Sequence, residues 1–177
     1  LLKPIRASAY AEVHERFHTY FHEYQRHNSL YDVFLVNAEG RVVYTVFKEI
    51  DFASSLVDGP WAGSGLARAF EATKKMEKGK IHFEDFSVYT PSYEAPASFA
   101  SMPLHNGGEY LGALIIQIPL DRIAAIAADR EGLGETGDVI LLGSDGRLRA
   151  DTFRHKDNHN VKKSFEAGSN IKMASSI

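Results

Sequence analysis

The chemically richest stretch of the chain is DFSVYTPSYEAPASFAS, residues 85–101, which combines aromatic rings, prolines and hydroxyl groups. Tyr89 and Tyr93 offer flat apolar surfaces that end in hydroxyls. The prolines limit backbone freedom and so reduce the entropy lost on binding. Ser98 and Ser101 can donate hydrogen bonds to a carboxylate. We interpret the stretch as a loop that walls a small-molecule pocket; the alternative is that the tyrosines only cover the edge of a sheet.

Five further positions could complete such a pocket. Tyr44 and Lys48 share one face of a predicted strand, because side chains alternate along a strand, and Lys48 would attract an anion. Asp51 would instead bind an amine. Gln117 is the polar residue of an otherwise apolar strand and needs a partner, either a ligand or a backbone group. Trp61 lies in a glycine-rich segment and either forms a lid or packs in the core.

His14, His18 and His22 recur every four residues in the first predicted helix. This spacing can place two imidazoles on one metal ion. Their direction diverges from the apolar stripe of the helix, however, and no carboxylate pattern completes a site. We therefore predict that these histidines face solvent and that the chain has no metal site, with a metal-binding or haem-binding sensor as the competing hypothesis.

The composition excludes several classes of function. The chain of 177 residues has a net charge of −3, so it lacks the basic surface of a nucleic-acid-binding protein. It has no cysteine, which excludes disulfides and thiol catalysis. No GXSXG, P-loop or dinucleotide motif is present, and no apolar run is long enough to span a membrane. We predict a protein that is not an enzyme and needs no cofactor.

The periodicity predicts an α+β fold in which a long N-terminal helix packs on a five-stranded antiparallel sheet. The helix has an apolar stripe that should face the sheet, formed by Tyr10, Val13, Phe17, Tyr20, Phe21 and Tyr24. Hairpin-length turns favour antiparallel pairing. The predicted elements are a helix at 5–28, strands within 31–49, a helix at 65–76, strands at 81–89, 98–104 and 109–118, and a helix ending at Gly132.

The chain also contains an internal repeat. VFLVNAEGRVVYT, residues 33–45, returns as VILLGSDGRLRADT, residues 139–152, with apolar positions, the acid-glycine pair and the following arginine at one constant offset. Shared turn chemistry alone could account for the acid-glycine-basic sequence. Because the strand positions match as well, we predict a second module of the same type, which the residues present could complete only in part. The polar residues 155–170 read as a loop or linker.

This succession of segments resembles the double Cache sensor domains, PAS-like and extracytoplasmic, of methyl-accepting chemotaxis proteins and related bacterial receptors. The resemblance rests on the long first helix, DFSVYTPSYEAPASFASMPL, GGEYLGALIIQIPLDRIAAI and GLGETGDVILLGSDGRLRADT. It implies a helix over residues 1–30, a membrane-distal module with the ligand pocket over 31–132 and a partial membrane-proximal module over 133–177. It further implies a periplasmic location, a membrane tether in the full receptor and a homodimer formed through the first helix.

The function expected from the residues and the resemblance is the sensing of a small organic solute by a chemoreceptor. The hydroxyls and Lys48 favour a short carboxylate such as acetate. The alternatives are a histidine kinase or diguanylate cyclase sensor that binds an amino acid, and an interaction module without a small ligand.

Overall fold

A single five-stranded antiparallel sheet organises the computed structural model, which describes residues 9–155, 157 and 159–166. The strands lie in the order β2-β1-β5-β4-β3. The elements in chain order are α1 (Ala9–His27), β1 (Asp32–Asn37), β2 (Val42–Thr45), α2 (Gly65–Thr73), β3 (His82–Tyr89), a 3₁₀ turn (Thr90–Ser92), β4 (Ala95–Asn106), β5 (Glu109–Ile118), α3 (Leu120–Ala127) and α4 (Val161–Glu166). The predicted α+β fold with a long first helix on five antiparallel strands is confirmed. Among the described residues, no helix has the length and apolarity to cross a bilayer.

The inner face of the sheet carries the main hydrophobic core, which α2 covers. The helix begins after Ser64, whose side chain accepts a hydrogen bond from the amide of Ala67 at 3.2 Å. Phe70 of α2 is fully buried and belongs to the same cluster as Phe34 and Phe99 of the sheet. This packing fixes the segment between β2 and α2, which supplies part of the site described below.

The burial of α1 differs from the prediction. His14 and His18 are buried against the outer face of the sheet, whereas Val13 and Tyr20 of the apolar stripe are 58% and 66% exposed. The prediction that the histidines face solvent was therefore wrong. The reason is Tyr44 of β2, whose hydroxyl oxygen lies 2.9 Å from His18 Nδ1 and so gives a buried imidazole the partner it needs.

Residues 85–101 form most of a β-hairpin. The predicted strands at 81–89 and 98–104 are therefore present, and the interpretation of the whole stretch as a loop was wrong. β3 runs to Tyr89, and β4 begins at Ala95. Tyr93 and Glu94 in the short connection both have positive φ, 58° and 59°. The loop prediction included the first residues of β4 because they contain Pro96, and proline is uncommon in strands.

The two copies of the repeat form the same turn. The amide of Asn37 donates to the carbonyl of Arg41 at 3.0 Å, and the amide of Gly143 donates to that of Arg147 at 2.9 Å. The later copy makes an isolated antiparallel bridge between Leu142 and Leu148. The assignment of residues 133–177 to a partial second module stays a prediction.

The later segment packs against the sheet through a helix that was predicted to be linker. Val161 and Phe165 of α4 are buried in a small cluster with Phe86 and Leu148. The linker prediction was wrong for residues 161–166; residues 156, 158 and 167–170 lie outside the described part of the chain.

Candidate ligand-binding site

A buried tyrosine-aspartate pair lies where β3 ends. Tyr89 is fully buried, and its hydroxyl donates to Asp51 Oδ2 at 2.6 Å. The other carboxylate oxygen of Asp51 is also buried and has no hydrogen-bond partner. A buried acceptor without a donor is costly, so Asp51 is suited to receive a donor from a bound molecule.

A second carboxylate, Asp32, lies at the start of β1 and is fully buried. It accepts hydrogen bonds from the amides of Val33 and Val46, at 2.6 and 2.8 Å, and from the Thr45 hydroxyl at 2.9 Å. These donors hold the first residues of β1 against the end of β2. Asp32 thus positions the segment that leads to Asp51.

Glu49 supplies the third carboxylate and connects to the sheet through a chain of hydrogen bonds. Tyr31 and Ser92 donate to its two oxygens at 3.3 and 3.2 Å. The Gln117 amide in turn donates to Ser92 at 3.2 Å, and Gln117 Oε1 is buried without a partner. Gln117 lies directly opposite Asp32 in the β1–β5 ladder, so both side chains project from the same face.

A cavity of about 500 Å³ lies against Glu49, near the start of β1 and the end of β5. Its volume falls in the range typical of small-molecule sites. The lining combines aromatic, aliphatic and polar side chains, among them Leu30, Tyr31, Phe47, Glu49, Tyr93 and Pro119. Glu49 therefore belongs both to the cavity wall and to the buried hydrogen-bond chain.

The electrostatics of this end of the sheet are strongly acidic. Burial raises the pKa of Asp32 to about 6, and the neighbouring Asp51 charge adds to the effect of burial. Burial also raises the pKa of Asp51, against the hydrogen bond from Tyr89, and that of Glu49. None of the ion pairs formed among the described residues involves these three carboxyl groups. Buried carboxyl groups without a cationic partner favour a positively charged ligand group.

The structure brings some of the sequence-predicted site residues together here. Tyr89, Asp51 and Gln117 are buried at this end of the sheet, and Tyr93 lines the cavity although its side chain is largely exposed. Trp61 packs against the core and donates weakly to the Ile50 carbonyl at 3.4 Å, so it helps to hold the segment that carries Asp51.

Tyr44 and Lys48 lie elsewhere. Tyr44 belongs to the outer-face cluster under α1. Lys48 lies beyond the end of β2 and has a positive φ of 54°, so it does not share a strand face with Tyr44 as predicted. Its ammonium is 5.3 Å from the centre of the Tyr44 ring. Both residues are thus next to the histidines of α1.

The two predicted serines also lie outside the acidic site. Ser101 donates to the Ala69 carbonyl of α2 at 2.8 Å and so joins β4 to the helix. Ser98 alternates with the core residues Ala97 and Phe99 and therefore points to the opposite face. Its hydroxyl is buried without a partner.

Sequence reasoning missed Asp32, Glu49, Ser92 and Tyr31. Tyr31 stands directly before β1 and Asp32 is its first residue. Glu49 and Asp51 lie in the segment that follows β2. The signal available was this concentration of acids at strand ends, since two strands that pair antiparallel bring the start of one next to the end of the other.

Comparisons with known proteins bear on the fold. No protein-family model matches the sequence, and no curated protein matches it. Solved structures do match. The ligand-binding domain of the Campylobacter jejuni chemoreceptor Tlp3, in complex with 4-methylisoleucine, is 14% identical with a TM-score of 0.56, over 78% of this chain and 49% of that one. The same domain of the Pseudomonas fluorescens chemoreceptor CtaA, in complex with L-serine, is 14% identical with a TM-score of 0.52, over 80% and 55%. The sensor domain of the Vibrio cholerae histidine kinase DctB is 13% identical with a TM-score of 0.51, over 70% and 44%.

The chain has the Cache-type, PAS-like fold of bacterial sensor domains. It spans about half the length of these solved domains. In this sensor fold the acidic site lies at one end of the sheet, where Gln25 near the end of α1 also lines the cavity.

Proposed function

We propose that this chain is the extracytoplasmic sensor module of a bacterial transmembrane chemoreceptor and that it recognises an amino acid or related small amine through its ammonium group. The observation that carries the proposal is the grouping of Asp32, Glu49 and Asp51 beside a cavity that Glu49 lines. None of the three takes part in the ion pairs formed within the described part of the chain. An ammonium group compensates such carboxylates by charge and by donating up to three hydrogen bonds.

The aromatic part of the cavity suits the rest of such a ligand. Phe47 and Leu30 offer apolar surface to a side chain. The hydroxyl of Tyr93 can donate to a ligand carboxylate. A short carboxylate such as acetate, the ligand favoured by the sequence, would place an anion beside three acids. That prediction stays untested, and the charge at the site supports the amine instead.

Calorimetry with a panel of L-amino acids, their decarboxylated amines and short carboxylates tests the proposal. We expect amino acids or amines to bind and acetate not to bind. Glu49→Gln should weaken binding by at least about tenfold, because it removes a charge-assisted hydrogen bond. Glu39→Gln, an exposed position in the β1–β2 turn, is the matched control. Binding of acetate with no response to any amine would contradict the proposal.

We further propose that the receptor is a homodimer formed through α1. The exposed residues Tyr10, Val13, Phe17, Tyr20 and Tyr24 alternate at steps of three and four, which is the spacing of a coiled-coil seam. The opposite side of the helix is the one buried on the sheet. A second copy of the same helix can cover the seam.

Sedimentation of two variants tests the dimer. Tyr20→Glu places a charge in the seam and should shift the protein to monomer. Thr19→Glu changes an exposed position beside the seam and should leave the association unchanged. Equal sedimentation of the two variants would contradict this interface.

A further inference from the structure

Thr45, the last residue of β2, lies between the two parts of the acidic site. It is fully buried, and its hydroxyl oxygen is 2.9 Å from Asp32 Oδ2 and 2.7 Å from the amide nitrogen of Lys48. A backbone amide can only donate, so the hydroxyl accepts from Lys48 and gives its own hydrogen to Asp32. Thr45 therefore joins the carboxylate at the start of β1 to the segment that carries Glu49 and Asp51.

Lys48 adopts a backbone conformation that needs support. Its φ is 54°, in the left-handed region that is unfavourable for a residue with a Cβ. Thr45 accepts from two groups of Lys48: the amide donates to the hydroxyl at 2.7 Å, and the ammonium donates to the carbonyl at 3.3 Å. A left-handed residue turns the chain sharply, so these contacts set the direction in which Glu49 leaves the sheet.

The other end of the segment is attached to β2 as well. The amide of Ala53, which also has a positive φ of 63°, donates to the Val42 carbonyl at 3.0 Å. Between the two ends, the amide of Phe52 donates to the Glu49 carbonyl at 3.0 Å and closes a turn. The segment is thus a short loop fixed to β2 at both ends, and Thr45 provides the attachment nearer to Glu49.

We propose that Thr45 is a positioning residue for the amine site, which holds Lys48 in its left-handed conformation and so keeps Glu49 in the cavity wall. The inference rests on the proposed function for its ligand. Loss of the hydroxyl lets Lys48 return to a more favourable backbone conformation, and Glu49 and Asp51 then move together relative to the sheet. Asp32 loses one of its three donors at the same time.

Thr45→Val, which removes the hydroxyl and keeps the branched shape, tests the proposal beside the conservative variant Thr45→Ser. Trp61, the single tryptophan of the chain, donates to the Ile50 carbonyl at 3.4 Å, so its fluorescence reports on this segment without any ligand. We expect Thr45→Val to shift the emission of Trp61 and Thr45→Ser to retain the wild-type spectrum. Thr73→Val is the matched control: Thr73 is also fully buried, its hydroxyl donates to the Phe70 carbonyl at 2.7 Å, and its loss should leave the spectrum unchanged.

Calorimetry with L-alanine and with ethylamine, its decarboxylated form, measures the effect on binding. We expect Thr45→Val to weaken both by about tenfold, because Glu49 no longer makes a charge-assisted hydrogen bond in place, and Thr45→Ser and Thr73→Val to stay within about twofold. In a Lys48→Asn background Thr45→Val should weaken binding less, since asparagine tolerates the left-handed region. If the wild-type protein binds no amine of the panel above, the proposed function fails, and the Trp61 spectra still decide the role of Thr45.

Hydrogen exchange of the wild-type protein keeps the test decisive if Thr45→Val does not fold. The Lys48 amide should be protected from exchange as well as the Val46 amide, which donates to Asp32 at 2.8 Å. Exchange of the Lys48 amide at the rate of a free amide would overturn the proposal. So would equal Trp61 spectra in Thr45→Val and the wild type, or equal changes in Thr45→Val and Thr45→Ser.

Discussion

The hydroxyl of Tyr89 donates to the carboxylate of Asp51 across 2.6 Å, although the two residues are far apart in the chain. The bond joins the last residue of β3 to the segment after β2. Both side chains are fully buried, so the bond fixes the acidic end of the site relative to the sheet.

Tyr89→Phe should destabilise the protein by about 1–3 kcal/mol, because it removes a donor from a buried carboxylate. Chemical denaturation measures the change. In an Asp51→Asn background the same substitution should cost less, since the amide carries no charge that needs the donor. Tyr93→Phe, at an exposed position, is the control and should stay within about 0.5 kcal/mol of the wild type.

Asp32 should make the protein less stable as the pH rises from about 4 to above 6. Its folded pKa of about 6 lies above the value near 4 of an exposed aspartate, so in this window the folded state binds more protons than the unfolded chain. Asp32→Asn should remove about 3 kcal/mol of this decline. Urea denaturation at several pH values measures it, with the exposed Asp58→Asn as the control. An unchanged profile in Asp32→Asn would contradict the assignment.

His18 should have the opposite effect over an overlapping range. Burial, reinforced by the charge of Lys48, lowers the pKa of His18 to about 4. Below about pH 6.5 the unfolded chain therefore binds protons that the folded state does not, and stability falls as the pH falls towards 4. His18→Gln keeps a partner for Tyr44 but does not titrate, so it should reduce this loss by about 2 kcal/mol. The exposed His27→Gln should leave the loss as in the wild type.

Glu94→Gly should stabilise the protein by about 0.5–1 kcal/mol. Glu94 has a φ of 59°, a left-handed conformation that is costly for a residue with a Cβ and available to glycine. Glu109→Gly, at an exposed position in β5, should destabilise the protein instead, because glycine weakens a strand. Thermal unfolding checks both variants: the unfolding temperature should rise for Glu94→Gly and fall for Glu109→Gly.

The sequence was sufficient for the parts of the fold that depend on local pattern. β5 has the predicted bounds, because its apolar run ends at Pro119. The glycine turns of the repeat followed from Gly40 and Gly146, which both have positive φ. These features depend on neighbours in the chain.

The parts that could not be predicted depend on residues distant in the chain. Tyr44 determines which face of α1 is buried, because its hydroxyl provides a partner for His18. The acidic site could be found only in part, because Asp32, Glu49 and Asp51 come together through strand pairing. Asp51 and Gln117 were recognisable as polar residues in or beside apolar strands, whereas nothing local marked Ser92 as their link.

The guanidinium of Arg149 makes two hydrogen bonds of 2.8 Å to Asp85 on β3 and one of 2.9 Å to Asp145. Asp85 and Tyr89 lie on the same strand, roughly 13 Å apart at the rise of an extended chain. An extended strand resists stretching, since its length is fixed by covalent geometry. A force on the region after α3 is therefore transmitted through Arg149 and along β3 to Tyr89, whose hydroxyl holds Asp51.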